Sequence, residues 1–525
     1  MSQTVLPRTL PEAKPRPTEL IGDAPDGEAR LSPPRVLAAL LIGACSLVAL
    51  LFSGTEPIAP ATQLVLATCW VVLICLAALV LITAMPLNTR GVSRWRSAPW
   101  YLIWSTLTFG LASLTWLDLQ TGTVGQTGAT GFVEPSSVVT ALNVFGASIV
   151  VWTVGYLVSV PRLVQLLASR GLSLLLHGTA PAMRGGAHPL VLFGVGNAAR
   201  LATALLTGRL GYLGDASDAV AHATSYTHAL DLVSWLAVFA IAAAAYQVFS
   251  TPDGKGKAML WSMVAVDVTV GALGGTKQSF FLTLLAVLIP YGALRGRVSL
   301  RLAVASALLF LWIILPFNTA YRTTVRDGAS YLSPGDAVAA APGVVSGVVS
   351  ADAPLSVAGD SSSTLLRRVR NIDNIAVIVQ LTPSTIPFRN PGEYISAPIF
   401  ALVPRAIWPD KPVLSTGYEF SQEYYGLPST MYTASAITPV GDLYRHGGWP
   451  VMAIGMLLFG MTFRLFDTLF HSEKDPRAIF FLLFFLPMLV QSENDIYSLL
   501  VSVPTGLAAA LLGVHLTCRR PAGTT

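Results

Sequence analysis

Asp442 and His446 stand four residues apart in the stretch Gly-Asp-Leu-Tyr-Arg-His-Gly-Gly, residues 441–448. One helical turn would place carboxylate and imidazole on the same face. Such a pair can take a proton from a hydroxyl nucleophile. Glu419, Glu423 and Asp373 lie in the same part of the chain and compete for that role, and spacing does not choose among them. The plain alternative for His446 is a histidine satisfied by packing.

A second chemistry is carried by cations. The stretch Val-Pro-Arg-Ala-Ile-Trp-Pro-Asp-Lys-Pro, residues 403–412, sets Arg405 and Lys411 around Trp408 between three prolines. Proline fixes φ, so the segment is stiff. Arg322 and Arg326 are four apart, and Lys277, Arg370 and Arg445 add further positive charge. Arginine forks bind phosphate oxygens through charge-assisted hydrogen bonds. The competing account is a snorkelling side chain at a span end. A third chemistry belongs to the aromatics Tyr418, Phe420, Tyr424, Tyr425, Tyr432 and Tyr444, interleaved with Glu419, Glu423 and Asp442. Flat rings cover sugar C–H groups and carboxylates accept from sugar hydroxyls. Interfacial anchoring explains aromatics as well.

The elements that must position these residues follow from composition. Of 525 residues, 53% are hydrophobic and 12% charged, and mean hydropathy is +0.61. A soluble domain carries about 25% charged residues, so the chain reads as a polytopic membrane protein. The net charge of +5 comes from scattered residues, which argues against a nucleic-acid partner. Cys45, Cys69, Cys75 and Cys518 form neither a disulfide framework nor a metal-ligand spacing. No carboxylate pair shows metal spacing, so neither metal nor other cofactor is expected.

Residues 1–33 are proline-rich and of mixed charge, as in a disordered tail. Twelve apolar stretches are candidate spans, at about 35–53, 62–85, 99–117, 138–160, 189–207, 228–250, 258–275, 279–294, 302–318, 449–470, 478–492 and 496–516. Arginines and lysines fill alternate short loops, such as Arg90, Arg94 and Arg96, then Arg162, Arg170 and Arg184. The opposite short loops hold only Arg209 and Lys277. This bias predicts cytoplasmic termini. Domains follow: a tail over 1–33, spans one to nine over 34–318, a large outer loop over 319–448, and spans ten to twelve over 449–525.

Within the loop, 334–363 is small and of low complexity and reads as a flexible insert. Residues 364–381 show helical period, with Leu365, Val369, Ile372, Ala376 and Val379 on one face and Arg367, Arg370, Asn371 and Asn374 on another. Thr382-Pro383 should end that helix. Ser396 to Val403 is apolar but too short to span, so a re-entrant or interfacial segment is expected. Arg200 falls inside a span, where charges are paired or functional.

Three stretches carry a resemblance: 274–282 (GGTKQSFFL), 317–322 (FNTAYR), and 403–412 followed by 417–420 (GYEF) and 441–448. With the topology, they resemble the O-antigen polymerase (Wzy-type), or oligosaccharide repeat unit polymerase, family over roughly 190–500. The resemblance implies an all-α, GT-C-like membrane glycosyltransferase of about twelve helices with one large extracytoplasmic loop, in the bacterial cytoplasmic membrane. It implies an undecaprenyl-pyrophosphate-linked oligosaccharide as substrate, a growing cell-envelope or exopolysaccharide as product, and a flippase and chain-length regulator as partners. It implies Asp442, His446 and Arg405 as catalytic. Arg322, Arg326, Lys277, Lys411, Arg200, Arg370, Trp408, Tyr418, Glu419, Tyr424 and Arg445 would hold substrate. A lipid-linked-sugar transporter, an outer-face ligase and a non-catalytic export component remain as rivals.

Overall fold

A computed structural model describes residues 33–53, 59–84, 95–120, 133–158, 160–177, 179, 182–206, 225–251, 254–273, 277–295, 300–309, 317, 320–321, 324, 326–327, 330–331, 334–350, 366–367, 369–403, 408, 416–428, 434–470 and 475–518. These are helical almost throughout. The exception is a two-residue antiparallel pair, Arg326–Asp327 with Ser330–Tyr331. In chain order the helices are α1 (Pro33–Ser53), α2 (Pro60–Ala84), α3 (Ser97–Ser105), α4 (Trp116–Gln120), α5 (Pro135–Leu157), α6 (Arg162–Leu175), α7 (His188–Leu206), α8 (Ser225–Ser250), α9 (Gly254–Leu273) and α10 (Lys277–Arg295). There follow α11 (Leu300–Leu309), α12 (Pro334–Ser350), α13 (Ile372–Leu381), α14 (Glu393–Leu402), α15 (Thr416–Tyr425), α16 (Pro439–Arg445), α17 (Gly448–Leu469), α18 (Ala478–Val490) and α19 (Ile496–Thr517).

Eight of the described helices are long and apolar enough to cross a membrane: α1, α2, α5, α7, α8, α10, α17 and α19. In hydrocarbon every peptide group needs a partner within the chain, which an α-helix provides. The protein is therefore a multi-pass membrane protein. Leu37, Leu40, Leu41, Leu47 and Leu51 of α1 stay exposed, as lipid-facing side chains do.

Close packing rests on small residues. A Cβ on Gly155 would stand 2.1 Å from the Leu457 carbonyl oxygen, and one on Gly460 2.1 Å from that of Trp152. The backbones of α5 and α17 thus touch. Tyr101, Trp152, Phe459 and Phe463 pack around that crossing in tilted and edge-to-face pairs. The crossing segment between α3 and α4 is broken: a π-turn covers Thr106–Gly110 and a 3-10 turn Leu111–Thr115. A side chain at Gly110 would meet Val72 at 2.7 Å, so glycine lets the break lie against α2.

The helix ends gather in two layers. At one end Asp467 of α17 accepts from the Ser97 amide at 2.6 Å and its hydroxyl at 2.7 Å, and Tyr156 of α5 donates to it at 3.0 Å. Arg96 joins through Tyr156 at 2.7 Å. Arg477 reaches Asp475 and Thr179, and the Arg184 amide reaches the end of α19 at Thr517. Arg96, Arg184 and Arg477 belong to the basic short loops, so this is the end the charge bias assigns to the cytoplasm. The opposite end carries α13, α14, α15 and α16 over the starts of α5 and α19.

One loop expectation is corrected. Residues 334–350, expected to be a flexible insert, form α12. Pro334 starts it and Asp336 sits in its first turn, both favourable there. The segment expected to be helical over 364–381 is helical at Leu366, Arg367 and Val369 and again over Ile372–Leu381, with Arg370 and Asn371 buried between the two parts. That arginine has found a carboxylate inside the fold, described below. Thr382 does end α13. The apolar 396–403 stretch forms α14, packed on α19 and leaving Ile395, Ile399 and Leu402 exposed.

Candidate functional site

Two turns set up the layer formed by α14, α15 and α16. Asn390 accepts from the Gly392 amide at 2.9 Å, starting α14 with Glu393 and Tyr394 in its first turn. Thr438 caps α16 by accepting from the Gly441 amide at 3.1 Å, with Pro439 in its first turn. Gly448, at a φ of +65°, then turns the chain from α16 into α17, a conformation glycine adopts without strain.

These turns bring α14, α16 and the start of α19 together. Asp442 is fully buried. Its Oδ1 accepts from Arg445 Nε at 2.9 Å, and its Oδ2 from the Ile496 amide at 3.0 Å. Arg445 is itself buried, at 1% exposure. His446, equally buried, places Nδ1 at 2.7 Å from the Asp442 backbone carbonyl and 2.8 Å from the Tyr394 hydroxyl. Its Nε2 faces Glu393 Oε2 at 3.3 Å. The Glu393 side chain is 43% exposed, so this carboxylate is where the group meets solvent.

A rim surrounds the group. Arg389 donates to Glu423 at 2.7 Å and Glu419 at 3.3 Å, and its amide donates to the Arg445 carbonyl at 2.9 Å. Burial opposes the Arg389 charge, but the two glutamates outweigh it and hold the guanidinium above its ordinary value. Asp495 caps α19 by accepting from the Ser498 amide at 2.6 Å, and also from Thr416 at 2.8 Å. Burial, then the Asp442 charge, pushes its carboxyl above the usual range. Burial, then the Asp442 charge, likewise raises the Tyr394 phenol.

The expected site residues divide. Asp442, Arg445 and His446 come together, but Asp442 contacts the imidazole most closely through its backbone oxygen, its carboxylate Oδ1 standing 3.5 Å from Nδ1. The carboxylate is occupied by Arg445 and the α19 amides. Glu419 is at the rim. Tyr418 is half-buried on the same helix, and Trp408 is exposed. Tyr424 turns inward with Phe420 and Tyr425, and its hydroxyl bonds Thr382 at 2.8 Å. These three rings are core of the loop, because α15 is amphipathic and presents Glu419 and Glu423 outward instead.

Arg370 lies in a separate buried cluster. Its Nε and Nη2 donate to Asp373 at 3.0 and 2.8 Å and its Nη1 to Thr115 at 2.7 Å. Trp116 donates to the other Asp373 oxygen at 2.8 Å. The cluster docks α13 on the broken segment before α4, and occupies Asp373, one of the competing bases. Arg200 is paired within the bundle: it reaches Asp267 at 2.8 Å, and Thr283 donates to the second oxygen. Arg326 lies in the short β pair and Lys277 begins α10. Arg322, Arg405 and Lys411 lie outside the described residues. Among the described residues no group of three or more His, Cys, Asp or Glu is placed to hold a metal ion.

Sequence reasoning missed Glu393, Tyr394 and Arg389. Asn390-Pro-Gly-Glu393 before an apolar run signals a helix start. Nothing local signals that it meets His446, 53 residues on.

Residues 217–471 match a family model described as a domain of unknown function (DUF8712). That match runs from just before α8 to the end of α17. No curated protein and no solved structure matches.

Proposed function

We propose that this protein is a glycosyltransferase of the outer face of the bacterial cytoplasmic membrane, polymerising oligosaccharide repeat units carried on undecaprenyl pyrophosphate. The proposal includes a twelve-span, GT-C-like architecture with both termini in the cytoplasm. The observation that carries it is the polar layer of α14, α15 and α16, where Glu393 backed by His446 lies beside the Arg389–Glu419–Glu423 rim. A hydroxyl acceptor needs a base, and a sugar needs carboxylates and a cation for its hydroxyl groups. Cations would stabilise the departing pyrophosphate as its charge grows, the role proposed for Arg322, Arg405 and Lys411.

The test is reconstitution of the purified chain in proteoliposomes with a lipid-linked oligosaccharide. A ladder of extended lipid-linked glycan is expected, shortened by R405A and by R322A. Unchanged substrate with correctly folded protein overturns the proposal.

One observation favours transport of a lipid-linked sugar instead: the Arg200–Asp267–Thr283 group inside the bundle. Under that reading substrate crosses the vesicle membrane without extension, and R200Q strands it on the inner leaflet.

A further inference from the structure

The arrangement around His446 assigns its protons. Nδ1 faces two oxygens, the Asp442 backbone carbonyl at 2.7 Å and the Tyr394 hydroxyl at 2.8 Å. A carbonyl oxygen can only accept. At 2.7 Å that contact needs a hydrogen on Nδ1. The Tyr394 hydroxyl oxygen at 2.8 Å is a second acceptor for the same hydrogen. Nδ1 therefore carries a hydrogen, and a neutral imidazole presents a bare lone pair at Nε2. That lone pair looks at Glu393 Oε2 across 3.3 Å. Two acceptors face each other there, and one proton between them turns repulsion into a hydrogen bond.

We propose that Glu393 and His446 form a two-site proton acceptor, with Glu393 the catalytic member touching the acceptor sugar and His446 the buried positioning residue behind it. This use of the pair rests on the polymerase reading, whereas the protonation pattern itself does not. In the transfer step the acceptor O–H bond breaks and its proton passes to Glu393, settling between Oε2 and Nε2. The acceptor oxygen forms the new bond to the anomeric carbon. The anomeric C–O bond to the pyrophosphate breaks, and its electron pair leaves on the phosphate. The half-exposed Glu393 then returns the proton to water. The charged and titratable groups facing the pair are Tyr394 on α14, Asp442 and Arg445 on α16, and Asp495 and Tyr497 at the start of α19.

The decisive measurement is 15N NMR of histidine-labelled full-length protein in nanodiscs, with the His446 signal assigned by its loss in H446Q. Expected is a protonated Nδ1 at every pH, with titration confined to Nε2 and altered in E393Q. A neutral His446 protonated on Nε2, its Nδ1 bare, overturns the proposal. So does an Nε2 titration that E393Q leaves untouched. In the proteoliposome assay, E393Q should slow extension at least 100-fold and abolish the limb of the pH profile that rises with pH, while E393D keeps part of both. Extension by E393Q at the wild-type rate sinks the relay and leaves the polymerase reading standing. No extension by wild type under any condition sinks the polymerase reading, and the NMR result still decides the proton pattern.

Discussion

The Asp442 carboxylate joins α16 to α19: one oxygen accepts from Arg445 at 2.9 Å and the other from the Ile496 amide at 3.0 Å and the Tyr497 amide at 3.3 Å. A single buried anion thus neutralises a buried guanidinium and fills the positive end of α19.

D442A should therefore act on stability before chemistry. It leaves Arg445 uncompensated at 1% exposure. Breaking such a pair from one side costs about 3–5 kcal/mol. Thermal unfolding of detergent-purified protein measures this, and the D442A/R445M double variant should lose less than D442A alone. Equal loss in both would show that the helix-end contact, not the ion pair, dominates.

The α5–α17 crossing makes a contrast between glycines. G460A brings a Cβ within 2.1 Å of the Trp152 carbonyl, and two backbones must separate. Gly43 on α1 has nothing within 4 Å of the equivalent point. Monodisperse yield by fluorescence-detected size exclusion should fall sharply for G460A and stay at the wild-type level for G43A.

Asp495 gives a pH dependence with a definite sign. Burial and the Asp442 charge raise its folded carboxyl above the ordinary carboxylate value. The folded state then holds the proton more tightly than the unfolded state, so the contribution is full below the unfolded value and is lost as pH rises through the folded one. D495N keeps a helix cap, since asparagine caps well, and removes the charge. A plot of Tm against pH should be flatter for D495N above the ordinary carboxylate range. D495A should lose about 1 kcal/mol from the missing cap.

The Arg200–Asp267 pair separates structure from transport. R200M strands Asp267, which is fully buried, whereas R200M/D267L removes both charges. The single variant should unfold at lower temperature than the double. A double variant that folds and extends glycan normally shows the pair to be a packing element. One that folds and fails to extend gives it a part in the site.

Composition and hydropathy determined the membrane class, because hydrocarbon leaves the backbone no other partner than itself. The long apolar helices fall where 19–26-residue apolar runs occur. Repetitive small residues misled at 334–350, where Ala and Val carry helix as readily as they fill a linker. The arginine face at 367–374 was legible as a face, but periodicity does not report which carboxylate waits inside to receive it. Asp373 is three residues from Arg370, but Thr115 and Trp116, which complete that cluster, are over 250 residues away.

The candidate site divides the same way. Asp442, Arg445 and His446 were legible because a helical turn is local and its spacing is written in the chain. That Asp442 turns its carboxylate to Arg445 and α19, and that His446 turns Nε2 to Glu393, was decided only by the docking of α14 and α16 on the start of α19. Those contacts join residues 53 to 55 positions apart. Side-chain type specifies which groups can share a proton, and only the packing of separate helices brings two of them within reach of one.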